Sequence, residues 1–144
     1  MVGKRPLYLN RPIIPSGFSS LDLSQNTELK YLSCSAVGLT SLDVSQNSKL
    51  EYLDCSANIG LNLNITGTNS LKYLDCSGYD TRNTFCGPAS TVTNLDLSQH
   101  TALITLNCSF NYLSTGLDLS QNTSLETLVC IWSQLTSLDV TNNT

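Results

Sequence analysis

Charge is scarce in this sequence: Lys, Arg, Asp and Glu make up 12% of the 144 residues, about half the share of an ordinary soluble domain. The seven cations lie scattered among eleven acids, for a net charge of −4. No basic stripe forms, so the electrostatic footprint of a nucleic-acid binder is missing. Long hydrophobic runs are missing too. None approaches the ~18–20 apolar residues that span a bilayer, and Lys4 and Arg5 lead into the proline-broken PLYLNRPIIP rather than an apolar export core. No stretch repeats its apolar positions at the helical period, which leaves little room for helices. There is one histidine, His100, and no Cys-x-x-Cys or Cys/His pairing spaced for zinc. With no phosphate loop and no nucleophile, base and orienting group at a telling spacing, no enzyme and no cofactor are expected.

What is present instead is neutral and repetitive. Ser, Thr and Asn supply 50 residues and Leu 25, in a chain long enough to bury a core without disulfides or metal. The string LDLSQN at Leu21–Asn26 returns as LDVSQN at Leu42–Asn47, LDLSQH at Leu95–His100, LDLSQN at Leu117–Asn122 and LDVTNN at Leu138–Asn143. A second string alternates with it: YLSCS, YLDCS, YLDCS, TLNCS and TLVCI, with cysteines at Cys34, Cys55, Cys76, Cys108 and Cys130. From Cys34 to Cys55 and on to Cys76 the step is 21 residues, and from Cys108 to Cys130 it is 22. Both strings place apolar residues two apart, the period of a strand. A coil of this length cannot bury its own leucines, so the coils must stack in series, strands ~4.7–4.9 Å apart, with the Leu columns inside.

The pattern LxxLxLxxNxxL, at Leu39-Leu42-Val44-Asn47-Leu50 and at Leu50-Leu53-Cys55-Asn58-Leu61, resembles a leucine-rich repeat. The short nested form with LDLS and LDCS halves is similar to repeats of surface and secreted proteins of Bacteroidetes-type bacteria. The resemblance covers Phe18 to the C-terminus. It implies a mainly β, right-handed solenoid of about five and a half 21-residue coils, with little or no helix and short parallel strands. It also implies protein recognition through exposed strand positions and a place outside the cell or on its surface. Residues 1–17, with three prolines at 6, 12 and 15, carry no repeat. Residues 18–144 form the solenoid, with an insertion at 78–94. The last string carries no polar cap, so the chain is expected to belong to a longer protein whose neighbouring sequence covers that edge.

Read column by column, most positions look structural. Asn26, Asn47, Asn122 and Asn143, with His100 substituting once, are expected to turn inward and satisfy backbone groups where the chain bends. The five cysteines in register with Leu or Val are expected to form a reduced, packed column. Cys86, in the insertion, stands outside it and is the one open to oxidation. Asp22, Asp43, Asp96, Asp118 and Asp139 should point outward, where like charges one strand apart repel. Nearby Ser hydroxyls and backbone amides satisfy them or, as the weaker alternative, the row holds a cation such as calcium.

Binding is expected elsewhere. Tyr31, Tyr52 and Tyr73 fall in register, either as contact material or as cross-strand stacking. Phe110, Tyr112, Ile131 and Trp132 put large groups where earlier coils have Ala, Gly or Ser. In the insertion, Tyr79, Asp80, Arg82 and Phe85 stand on a loop leaving a rigid scaffold. The leading expectation is a protein-binding module, with a surface glycan as the other partner class. The alternative is a structural spacer in a larger bacterial surface protein.

Overall fold

The computed structural model describes residues 7–8, 19–78 and 92–143. Among them there is no helix, and every strand is two or three residues long. Each three-residue strand centres on a leucine flanked by more polar or more exposed neighbours. The leucine is what fixes it, because a one-residue slip would exchange core and solvent faces.

Six strands form one parallel sheet: β1 (Leu7–Tyr8), β2 (Tyr31–Ser33), β4 (Tyr52–Asp54), β6 (Tyr73–Asp75), β7 (Thr105–Asn107) and β8 (Thr127–Val129). The register is unbroken, running from Leu7 at the start of β1 through Leu32, Leu53, Leu74, Leu106 and Leu128 at the middle of the other strands. On the other side of the coil β3 (Ser41–Asp43) pairs in parallel with β5 (Asn62–Asn64). The LDL strings at 95–97, 117–119 and 138–140 form no strand ladder. Between the two rows lies the core, where Leu32, Leu53, Leu74 and Leu106 of one row and Leu42, Val44, Leu97 and Leu119 of the other are sealed from solvent. This is the mainly β, helix-poor, parallel-stranded solenoid that the repeat implies.

Two details go beyond the string reading. Leu7–Tyr8, in the opening segment without a recognisable repeat, adds a strand to the main sheet by pairing with β2. The stretch Leu61–Leu71, which carries neither of the two recurring strings, is nevertheless a repeat unit. Leu63 takes the register of Leu42, and Asn64 that of Asp43, with Thr68 following where the LDL strings have Asn or, once, His. The motif is hidden because nearly every polar letter in it has changed while the 21-residue step has not.

The corners are built from side-chain caps. Asn58 is the fullest: its Oδ1 accepts from the amides of Val37, Gly38 and Leu39 at 3.0–3.1 Å, and its Nδ2 donates to the carbonyls of Cys34 and Cys55. Asn111 repeats part of this, accepting from Val92 N and donating to Cys76 O and Cys108 O. In the other row the amides of Asn47, Asn122 and Asn143 each donate to two carbonyls of the preceding coil. Buried backbone acceptors are thereby satisfied where the strands end.

The coil after the insertion joins directly onto the coil before it. Cys76 N donates to Asn107 O, Gly78 N donates to Ser109 O, and Ile104 N and Thr105 N both donate to Lys72 O. Gly78 has to be glycine, since a Cβ there would run into the Phe110 carbonyl. The insertion therefore leaves at Gly78 without opening the stack. It returns at Val92, whose carbonyl accepts from Tyr112 N.

Candidate functional site

On the outer face of the main sheet the tyrosines meet each other. The rings of Tyr31 and Tyr52 lie 4.1 Å apart at 4°, and those of Tyr52 and Tyr73 4.3 Å apart at 6°. Strand register imposes this, since the three residues are direct cross-strand partners. The ring faces within the row are turned on one another, so Tyr52 has both of its faces covered by its neighbours. Partial burial raises the phenols of Tyr52 and Tyr73 above their ordinary pKa. Beside the row, Glu51 bridges Lys30 at 3.3 Å and Lys72 at 2.8 Å. Its hydrogen bonds, to Lys72 first and then Lys30, hold the carboxyl below its usual range.

The aspartates are turn caps. Oδ1 of Asp43, Asp96, Asp118 and Asp139 accepts from the amide two residues on at 2.9 Å, and Asp22 does the same at 3.0 Å. These bonds lower all five carboxyls, the backbone amide contributing most except at Asp22, where the Ser24 hydroxyl does. Asp54 and Asp75 cap in the same way through Ser56 and Ser77 and also reach the neighbouring strand, accepting from Ser33 Oγ and Asn107 Nδ2. Repulsion along the rows is relieved because each charge is met by local donors. Among the described residues no three His, Cys, Asp or Glu side chains converge as a metal site. An open groove of about 630 Å³ crosses the LDL row between Asp96, Asp118 and Asp139.

Cys34, Cys55, Cys76 and Cys108 are buried free thiols and Cys130 is partly exposed. Burial pushes Cys34 and Cys108 up to about 12, and Cys55 and Cys76 well above the ordinary thiol value. Cys55 and Cys76 donate to the carbonyls of Asp75 and Asn107 in the next coil. The column is packing, with its four buried thiols kept protonated. His100 is also core, 2% exposed. Its Nε2 lies 3.1 Å from Thr68 Oγ1 and 3.3 Å from the Ile65 carbonyl, filling the Asn slot beside the coil where Thr has replaced Asn. Burial lowers its pKa.

The aromatic corner is different. Two residues after four of the five column cysteines the chain turns through the left-handed region: φ is 54° at Ala36, 55° at Ala57, 56° at Phe110 and 55° at Trp132. That conformation costs a non-glycine residue about 1–2 kcal/mol. The turn is shared, with Ala36 and Ala57 placing a methyl group there and Phe110 and Trp132 bulky rings. Trp132 is 61% exposed, its neighbour Ile131 54% and Tyr112 46%. Ser109–Tyr112 is also the segment that holds both roots of the insertion: Ser109 O accepts from Gly78 N, Asn111 Oδ1 accepts from Val92 N, and Tyr112 N donates to Val92 O. The structure thus gathers Phe110, Tyr112, Ile131 and Trp132 on the corner loops of two adjacent coils. The tyrosine ladder stands at the other end of the strands, in earlier coils. Tyr79, Asp80, Arg82, Phe85 and Cys86 lie outside the described residues.

No protein-family profile matches the chain, and neither does any curated protein. Among solved structures, it is similar to the functional domain of InlJ from Listeria monocytogenes, described as including a cysteine ladder. The two are 39% identical with a TM-score of 0.57, over 87% of this chain and 30% of the InlJ chain. The column from Cys34 to Cys130 is the feature here that corresponds to such a ladder. Taken with the unbroken strand register and the capped 21-residue coils, the comparison establishes that this chain is a leucine-rich-repeat protein.

Proposed function

We propose that this chain is a protein-recognition module whose principal contact surface is the corner formed by Phe110, Tyr112, Ile131 and Trp132. The single observation that carries the reading is Trp132, a largely exposed indole held at φ 55°. A large aromatic kept both strained and wet is a poor stability device, and strain of this kind concentrates at functional positions. Trp and Tyr are also the residues that dominate binding hot spots. Insertion residues Tyr79, Arg82 and Phe85 are kept in the proposed contact set on sequence grounds, because their loop leaves and rejoins the scaffold beside Ser109–Tyr112. The tyrosine ladder has a secondary role: both faces of its central ring are covered, which suits a protein partner better than the stacked sugars of a glycan.

The likeness to a domain named as the functional part of InlJ supports a recognition role and a place on or outside a bacterial cell. No helix among the described residues is long and apolar enough to cross a membrane. The test is a binding screen against a panel of purified extracellular proteins, run with the wild type, Tyr112→Ala/Trp132→Ala and Tyr52→Ala. The expected result is at least one partner that loses tenfold or more affinity for the double variant and little for Tyr52→Ala. Equal binding by all three forms would move the site off this corner. Absence of any partner would favour the spacer.

A further inference from the structure

The tyrosine ladder stops in the middle of the main sheet. Its rungs are set by register, Tyr31 beside Tyr52 and Tyr52 beside Tyr73, with ring spacings of 4.1 and 4.3 Å. The next two positions of the same row are Thr105 on β7 and Thr127 on β8. The strands continue there at the usual ~4.7–4.9 Å, but the outward side chain shrinks from a phenol ring to a small hydroxyethyl group. Because β6 lies between β4 and β7, Tyr52 covers one face of Tyr73 and the opposite face looks across Thr105. Among the described residues no ring is stacked on that opposite face. The sheet therefore carries a step, an aromatic wall above a threonine floor, with Thr105 half-buried and Thr127 exposed.

The borders of the step decide what fits it. Its polar neighbours are already engaged: Lys72 is bound to Glu51 at 2.8 Å, Asp75 accepts from Ser77 and from Asn107 Nδ2, and Asn107 Oδ1 accepts from the Ser109 amide. Elsewhere the border is apolar. Ile104, which stands where earlier coils have Lys30, Glu51 and Lys72, is 37% exposed, and Val129 follows Asn107 in the row of Ser33, Asp54 and Asp75. A sugar would leave most of its hydroxyls unanswered among such groups, whereas a flat aromatic ring asks only for a ring face and an apolar edge. We propose that the step between Tyr73 and Thr105 receives an aromatic side chain of a partner protein, stacked on the uncovered face of Tyr73 as the fourth rung of the ladder. The 4.1–4.3 Å spacing of the existing pairs sets that ring directly over Thr105. The inference rests on the reading of the chain as a protein-recognition module and adds a second contact on the sheet face, apart from the corner of Phe110, Tyr112, Ile131 and Trp132.

Titration of the full chain with N-acetyltryptophanamide, followed by NMR, tests it. The indole should bind saturably, shift the Thr105 methyl resonance upfield through its ring current and perturb the ring resonances of Tyr73. N-acetylleucinamide and methyl β-glucoside should bind at least tenfold more weakly. Two variants alter the step from opposite sides: Tyr73→Ala removes the wall, and Thr105→Tyr supplies the fourth rung from within the chain. Each should weaken binding at least tenfold with an unchanged circular dichroism spectrum, and Thr105→Tyr should also raise the melting temperature. Should Thr105→Tyr fail to fold, Tyr73→Ala decides alone. Absence of saturable binding, shifts confined to Tyr112 and Trp132, equal binding of methyl β-glucoside at the same nuclei, or binding that survives Tyr73→Ala would each overturn the proposal. Such a failure is distinct from failure of the corner, which is read from partner binding by Tyr112→Ala/Trp132→Ala.

Discussion

The coils before the insertion and those after it share one backbone plan and use their outward residues in opposite ways. In residues 19–78 those residues engage each other: three tyrosines stack, Glu51 joins two lysines, and alanines occupy the left-handed corner. In residues 92–143 the tyrosine row gives way to Thr105 and Thr127, the cations vanish, and the corner carries Phe110 and Trp132. The backbone plan is thus set by the inward columns alone, and the outward positions are free to serve either internal cohesion or contact with something else.

That division predicts the largest effect at an inward position. Leu53→Asp should unfold the stack or cost more than about 4 kcal/mol, because a charge would be buried without a partner in a fully sealed column. An outward change in the later coils, Trp132→Asp, should leave the thermal melt nearly unchanged. If the melts of the two variants matched, the assignment of columns would be wrong.

A second contrast compares the two Asn rows. Asn58 serves three amides and two cysteine carbonyls, whereas Asn122 donates to two carbonyls and its Oδ1 has no hydrogen-bond partner. Asn58→Ala should therefore cost roughly 3 kcal/mol and Asn122→Ala nearer 1–2 kcal/mol, read from urea denaturation. The reverse order would mean that the earlier corners are held by packing rather than by their caps.

Much of this architecture was legible because it is periodic. The Leu columns, the cysteine column and the outward Asp row follow from strand alternation and a constant step, and all lie where that reasoning puts them. The signals that escaped were those in which chemistry changed while position did not. Leu63 and Thr68 stand 21 residues after Leu42 and Asn47, and counting from the intact coil would have found them. Leu7 and Leu9 show the alternation of a strand, but the prolines around them hide it. The site was less legible, since a left-handed φ at Phe110 and Trp132 leaves no mark in composition. Only their alignment with Ala36 and Ala57 hints at it. Whether the tyrosine row stacks or stands apart depended on register, which only the three-dimensional structure could fix.

The junction between the two regions has its own pH dependence. His100 is neutral in the folded core because burial lowers its pKa below the ordinary 6.5, and its Nδ1 is buried without a partner. The unfolded chain then takes up the proton first as pH falls, so stability should decline below about pH 6.5 and level off once the folded form also titrates. His100→Asn, restoring the residue of the other coils, should flatten that part of the profile. Equal slopes for the two proteins between pH 7 and 5 would show that the carboxylate caps govern the acid limb instead.

The smallest effect sharpens the comparison most. If Trp132 is held in the left-handed region for contact rather than for stability, Trp132→Gly removes a conformational penalty of about 1 kcal/mol at a site with little buried surface to lose. The same change at Ala57 relieves a similar φ. The greater freedom of unfolded glycine opposes both changes, but at Ala57 the small side chain is partly buried, so lost packing offsets the gain further. Chemical denaturation should accordingly find Trp132→Gly neutral to stabilised by up to about 1 kcal/mol, and Ala57→Gly nearer zero. Loss of more than about 1 kcal/mol on removing the indole would mean that Trp132 holds its own coil together, and the later coils would then differ from the earlier ones in size of side chain rather than in purpose.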